Sequence, residues 1–127
     1  MTWIVLFFLT WLINASITDA VNFARILKLK EFLEKDPTDT FTTYALGLEY
    51  ASIKLYEQAI ATFEQLRQRE PDYIPTYYQL ADTYRKVNQK DQALAIYKEG
   101  ITRARNTRDL HAASELEAAM DEMEDEE

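Results

Sequence analysis

The sequence predicts an all-α chain, a solenoid of helix-turn-helix repeats closed by a C-terminal capping helix. Three observations lead there. Residues 37–105 are written twice at a spacing of 34: Leu46 recurs as Leu80, Gly47 as Ala81, Tyr50 as Tyr84, Ala59 as Ala93, Ile60 as Leu94 and Phe63 as Tyr97, while Pro37 recurs as Pro71. Self-similarity at a fixed period of this length marks an architecture whose units bury their apolar faces only by stacking on one another. Only two glycines and three prolines interrupt the 127 residues, and a chain rich in Ala, Leu, Glu, Lys and Gln favours helix. That length holds one domain and buries roughly two-thirds of its unfolded surface.

Residues 1–17, MTWIVLFFLTWLINASI, are far more apolar than anything after them. The unbroken greasy run, 3–13, has the length of a signal-peptide core and falls short of the roughly 20 residues of a full membrane span. Three readings stay open. The segment is an anchor or uncleaved signal that keeps the body cytoplasmic, because the first Lys/Arg residues, Arg25, Lys28 and Lys30, come after it. It is a cleaved signal, although no basic stretch precedes the apolar run. Or it is not made, with translation starting downstream, for instance at Val21.

From Asp19 the pattern turns amphipathic. Asp19 is read as the cap of a helix reaching about Lys35, with Phe23, Ile26, Leu27, Leu29, Phe32 and Leu33 at three- and four-residue steps. It stops at Asp36-Pro37, since the residue before proline avoids the α region. Thr38 or Asp39 caps the first full unit, with helices over about 40–52 and 56–69. Pro71-Asp72 repeats the punctuation, and the second unit follows at about 74–87 and 91–105, with Asn88 suited to a left-handed turn. A last helix over about 108–123 puts Leu110, Ala113, Leu116, Ala119, Met120 and Met123 on one face, and its acidic end is expected to fray. Two repeats alone are marginal, so both flanking helices are assigned to the fold. The expected organisation is a hydrophobic segment at 1–18, a helical domain at 19–123 and an acidic tail at 124–127.

Within each unit, Leu46, Gly47 and Tyr50 face Ala59 and Phe63, as Leu80, Ala81 and Tyr84 face Ala93 and Tyr97. The small residues let two backbones approach and the aromatics fill the remaining volume. Burying each large side chain is worth about 1.5–3 kcal/mol, against a few tenths for intrinsic helix preference, so packing decides the architecture. With Thr43, Leu66 and Pro71 in the first copy and Tyr77 in the second, these residues resemble the signature of the tetratricopeptide-repeat (TPR) family. Thr43 stands where that family often has tryptophan, Gly100 where alanine is usual and Arg105 where proline is usual. The resemblance covers about 37–105, extends weakly to Phe23, and implies two full repeats plus flanking helices that bind a protein or peptide partner.

In such a stack the first helices of successive units line the concave face. Helical spacing puts Phe41, Tyr44, Leu48, Ala51 and Ser52 there in the first unit and Pro75, Tyr78, Asp82, Arg85 and Lys86 in the second. Tyr44, Leu48, Tyr78, Asp82, Arg85 and Lys86 are the candidate partner-binding residues. The groove is expected to be aromatic at one end and basic at the other, suited to a peptide or helix with apolar anchors and an acidic or carboxylate end. The plainer alternative is that Phe41 and Tyr44 pack under the preceding helix and Arg85 and Lys86 are solvated. Tyr44 and Leu48 replace the polar residues with which some family members hold a terminal carboxylate, so that specificity is not carried over.

The formal charge is −8, of which Asp121, Glu122, Glu124, Asp125, Glu126 and Glu127 supply six, leaving a body near −2. Such a surface repels nucleic-acid phosphate. Cysteine is absent and His111 is the lone histidine, which leaves no thiolate or multi-histidine metal site. Gly47 and Gly100 fall at repeat positions and form no phosphate loop. Glu115 and Glu117 sit in a charge-rich helix with no apolar cleft to raise a carboxyl pKa. No enzyme, cofactor or metal is therefore expected. The sequence reads as a cytoplasmic adaptor or assembly module, possible membrane attachment coming through 1–17. A self-associating scaffold is the alternative.

Overall fold

The computed structural model describes residues 2–126, which form six helices: α1 (Thr2–Lys35), α2 (Thr40–Ser52), α3 (Tyr56–Arg69), α4 (Pro75–Lys86), α5 (Lys90–Asn106) and α6 (Leu110–Asp125). Each helix packs on its sequence neighbours, and α4 also touches α2 and α6. The result is a stack of antiparallel helix pairs, with α2/α3 and α4/α5 as its two full units.

α1 departs from the sequence reading. Asp19 lies inside a continuous helix of 34 residues and caps nothing. No glycine or proline occurs before Pro37, so nothing interrupts the hydrogen-bond ladder where polarity changes. The expected packing face is also narrower. Ile26 is buried and Leu29 and Leu33 half-buried against α2, whereas Phe23, Leu27 and Phe32 stay exposed. As the end of the stack, α1 has a neighbour on one side only. Arg25 adds an ion pair to Glu49 of α2 at 3.4 Å.

α2 and α3 run over the expected residues. Asp39 caps α2, its carboxylate accepting from the Thr42 amide at 2.8 Å; the Thr42 contacts also hold the Asp39 pKa below the usual carboxylate value. α4 is a residue shorter at each end than expected, α5 a residue longer, and α6 starts at Leu110 behind an Asp109 cap that accepts from the Ala112 amide at 3.1 Å. The end of α6 continues to Asp125 because Glu126 is tied to Arg85.

Three turns share one geometry. Lys54, Asn88 and Arg108 take left-handed φ of 63°, 60° and 61°, and the next amides (Leu55, Gln89, Asp109) donate back to Tyr50, Tyr84 and Ala104 at 2.9, 2.9 and 2.8 Å. This is the helix-ending motif that usually recruits glycine or asparagine. The α5–α6 link thus copies the turn found inside each unit.

The core runs through the middle of the stack, with Phe63, Leu66, Tyr77, Leu80 and Tyr97 fully buried. The Tyr77 hydroxyl donates to the Pro71 carbonyl at 2.5 Å. Arg67 joins Glu64 at 2.6 Å and Glu99 at 2.8 Å, and the Tyr84 hydroxyl donates to Glu64 at 2.7 Å, linking α3, α4 and α5. Burial, together with the bond to that carboxylate, pushes the Tyr84 pKa up to about 12.

Candidate functional site: the concave groove

A groove of about 600 Å³ opens among α2, α4 and α6. Tyr44 from α2 with Ile74, Pro75, Tyr78 and Gln79 at the start of α4 line one side; Ala112, Glu115, Leu116, Ala119 and Glu122 of α6 line the other, together with Asp109 and His111. The tyrosines are placed by packing. Tyr44 lies 6.0 Å from the Phe63 ring and meets Tyr73 edge-on at 5.6 Å, centroid to centroid. Burial raises the Tyr44 pKa, opposed by hydrogen bonding with Gln79. Phe41 is 75% exposed and touches Tyr73 at the rim.

Of the six candidates, Tyr44 and Tyr78 line this groove, and Tyr78 is 42% exposed within it. Leu48 packs against the core instead. Asp82, Arg85 and Lys86 lie outside the lining. Arg85 pairs with Glu126 at 2.7 Å and Lys86 with Asp82 at 3.0 Å. The adjacent Tyr97 hydroxyl raises the Arg85 pKa, burial opposes the rise, and Glu126 and Glu122 add to it. Both cations therefore already have carboxylate partners within the chain.

The sequence reading missed the α6 wall, having treated that helix as a cap alone. The signal was present: Asp109, Ala112, Glu115, Ala119 and Glu122 recur at three- and four-residue steps, one face over from the buried Ala113, Leu116 and Met123. His111 is exposed and faces Glu115 at 3.0 Å. Among the described residues no cluster of three metal-ligating side chains occurs. What the groove offers is two aromatic faces opposite carboxylates, an arrangement that attracts a cation over a ring.

Stacked helix pairs at a 34-residue period, with a groove on the inner helices, define a helical-repeat solenoid. The tetratricopeptide-repeat profile matches residues 54–119. The chain belongs to the tetratricopeptide-repeat family. It is similar to a tetratricopeptide repeat domain protein from Salinibacter ruber, solved in solution, at 38% identity over 72% of this chain and 93% of that one, with a TM-score of 0.69. The same fold recurs in the TPR2B domain of yeast Sti1 in complex with pHsp70 (15% identity, 90% and 91% coverage, TM-score 0.78). It is found again in PcrH in complex with the chaperone binding region of PopD (15% identity, 89% and 92% coverage, TM-score 0.73). No curated protein matches the chain.

Proposed function

We propose that the chain is a protein-interaction module that takes a segment of a partner protein into the groove between α2, α4 and α6, in an adaptor or assembly role. The family is generally one of non-enzymatic interaction modules, and the Sti1 and PcrH folds were each solved with a protein segment or partner. The observation that carries the reading is the pairing of Tyr44 and Tyr78 with Glu115 and Glu122 around one opening. Because Arg85 and Lys86 lie outside the groove and already have carboxylate partners, the favoured ligand is a segment with a Lys or Arg beside an apolar anchor, rather than one with an acidic end.

A random-sequence peptide array tests this. Retained peptides are expected to be rich in Lys and Arg. The Tyr78→Ala/Glu115→Lys variant should bind the best of them at least about tenfold more weakly, or ~1.4 kcal/mol. Enrichment of acidic peptides, or undiminished binding by a folded variant, would sink the reading.

A further inference from the structure

The first half of α1 has no place in the solenoid. Its side chains from Trp3 to Leu9, and again from Trp11 to Ile13, are about half exposed or more on every side of the helix. A soluble partner, or a second copy in a coiled coil, covers one stripe of a helix and leaves the rest polar. From Trp3 to Ile13 the one polar side chain is Thr10, so this part of the helix has no polar stripe. An environment that is apolar all round is what such a surface matches, and the best 18-residue window has a mean hydropathy of 1.8 with none of it buried.

We propose that residues 2–21 cross a lipid bilayer and that the same unbroken helix carries the solenoid. Twenty residues at about 1.5 Å rise span about 30 Å, the thickness of the hydrocarbon layer. Polar atoms inside lipid must be satisfied within the helix. The Thr10 and Thr18 hydroxyls do this, donating to the carbonyls of Leu6 at 2.7 Å and Asn14 at 2.9 Å. Asp19 lies two residues, about 3 Å, inside the end of the span, from where its side chain reaches toward the headgroups.

No Lys or Arg occurs at 2–24, whereas Arg25, Lys28 and Lys30 follow at once. Positive flanking charge is retained on the cytoplasmic side, so the solenoid lies on that face. Trp3 stands at the far boundary, where tryptophan favours the interface. Only about one helical turn separates Val21 from Ile26, the first residue docked on α2. The solenoid is therefore held rigidly against the membrane face rather than on a flexible tether.

The chain contains no cysteine, so single-cysteine variants of the full chain report the topology cleanly. Leu9→Cys and Lys35→Cys are reconstituted in phosphatidylcholine–phosphatidylglycerol vesicles, washed at alkaline pH and exposed to a membrane-impermeant maleimide. Expected is retention through the wash, labelling of Lys35→Cys, and no labelling of Leu9→Cys until detergent is added. A Leu9→Lys/Leu12→Lys variant should lose vesicle retention while keeping its helical circular dichroism, because these side chains touch nothing in the solenoid. Release by the wash, equal labelling at both positions, or retention of the dilysine variant each overturns the proposal. So does a discrete soluble oligomer that ignores vesicles, or a cell-derived chain whose amino terminus lies beyond the span.

Discussion

Gly100 illustrates how the two copies of the repeat fill equivalent spaces with different side chains. Thr43 and Leu66 of the first copy occupy the places held by Tyr77 and Gly100 in the second, all four buried. The large residue has moved from one helix of the pair to the other, and the small one has moved the opposite way. A Cβ on Gly100 would lie 2.6 Å from the Tyr77 Cβ and 3.1 Å from a Leu116 methyl. Tyr77 cannot swing aside, because its ring is fully buried and its hydroxyl is tied to Pro71. Gly100→Ala restores the residue usual for the family, and alanine improves helix propensity by about 1 kcal/mol. Overpacking of a close contact costs about 1–3 kcal/mol. The net expectation is destabilisation by about 1 kcal/mol, a fall in Tm of roughly 4 °C for a domain of this size. Calorimetry checks it, and a rise in Tm would refute the volume-exchange account.

Helix ends show a parallel economy. The left-handed conformation costs a residue with a Cβ about 1–2 kcal/mol, part of which glycine gives back through the entropy of its unfolded chain. Arg108 is exposed and sits at φ 61° between α5 and α6, so Arg108→Gly should stabilise by about 0.5–1 kcal/mol. Asn88→Gly, at φ 60°, should be nearly neutral, since asparagine tolerates this region. Urea midpoints measure both, and an equal gain at the two sites would contradict the argument.

The same turns mark what could be read from sequence. The start of α2 was legible from its Asp39 cap and the end of α3 from the Pro71-Asp72 punctuation, and Asn88 announced its turn by residue type. Lys54 and Arg108 carried no such mark, because tertiary packing imposes their conformation. Asp19 misled: an acidic residue after an apolar run suggests a cap, but helix formers on both sides let α1 continue through it. In the site, Tyr44 and Tyr78 were legible from the repeat register. The pairing of Arg85 was not, because its partner Glu126 lies 41 residues away and no local pattern links them. The α6 wall was hidden because its buried leucine, Leu116, falls two residues late for the 34-residue period that gives Leu46 and Leu80.

At the scale of the whole molecule, contacts run between successive helices, with α2–α4 and α4–α6 the additional pairings. Stability in such a stack is approximately a sum of unit and nearest-interface terms, so it is graded along the axis. The fully buried large side chains belong mainly to α3, α4 and α5, which also share the Glu64–Arg67–Glu99 and Tyr84–Glu64 links. α6 docks through Ala113, Leu116, Ala119 and Met123 and is pinned at its end by Glu126 to Arg85. The solenoid half of α1 docks through the single fully buried Ile26 with Leu29 and Leu33 beside it. Local openings draw first on the regions with least buried apolar surface. Native-state hydrogen exchange should therefore find residues 22–35 opening first, α6 next, and the amides around Phe63, Leu80 and Tyr97 last. Raising the salt concentration should weaken the Arg85–Glu126 pair, whose Glu126 side is 53% exposed, by screening and bring α6 closer to α1 in protection while leaving α4 unchanged. Uniform protection from residue 22 to 126 would mean that the stack opens as one cooperative block, and the graded account would then fail.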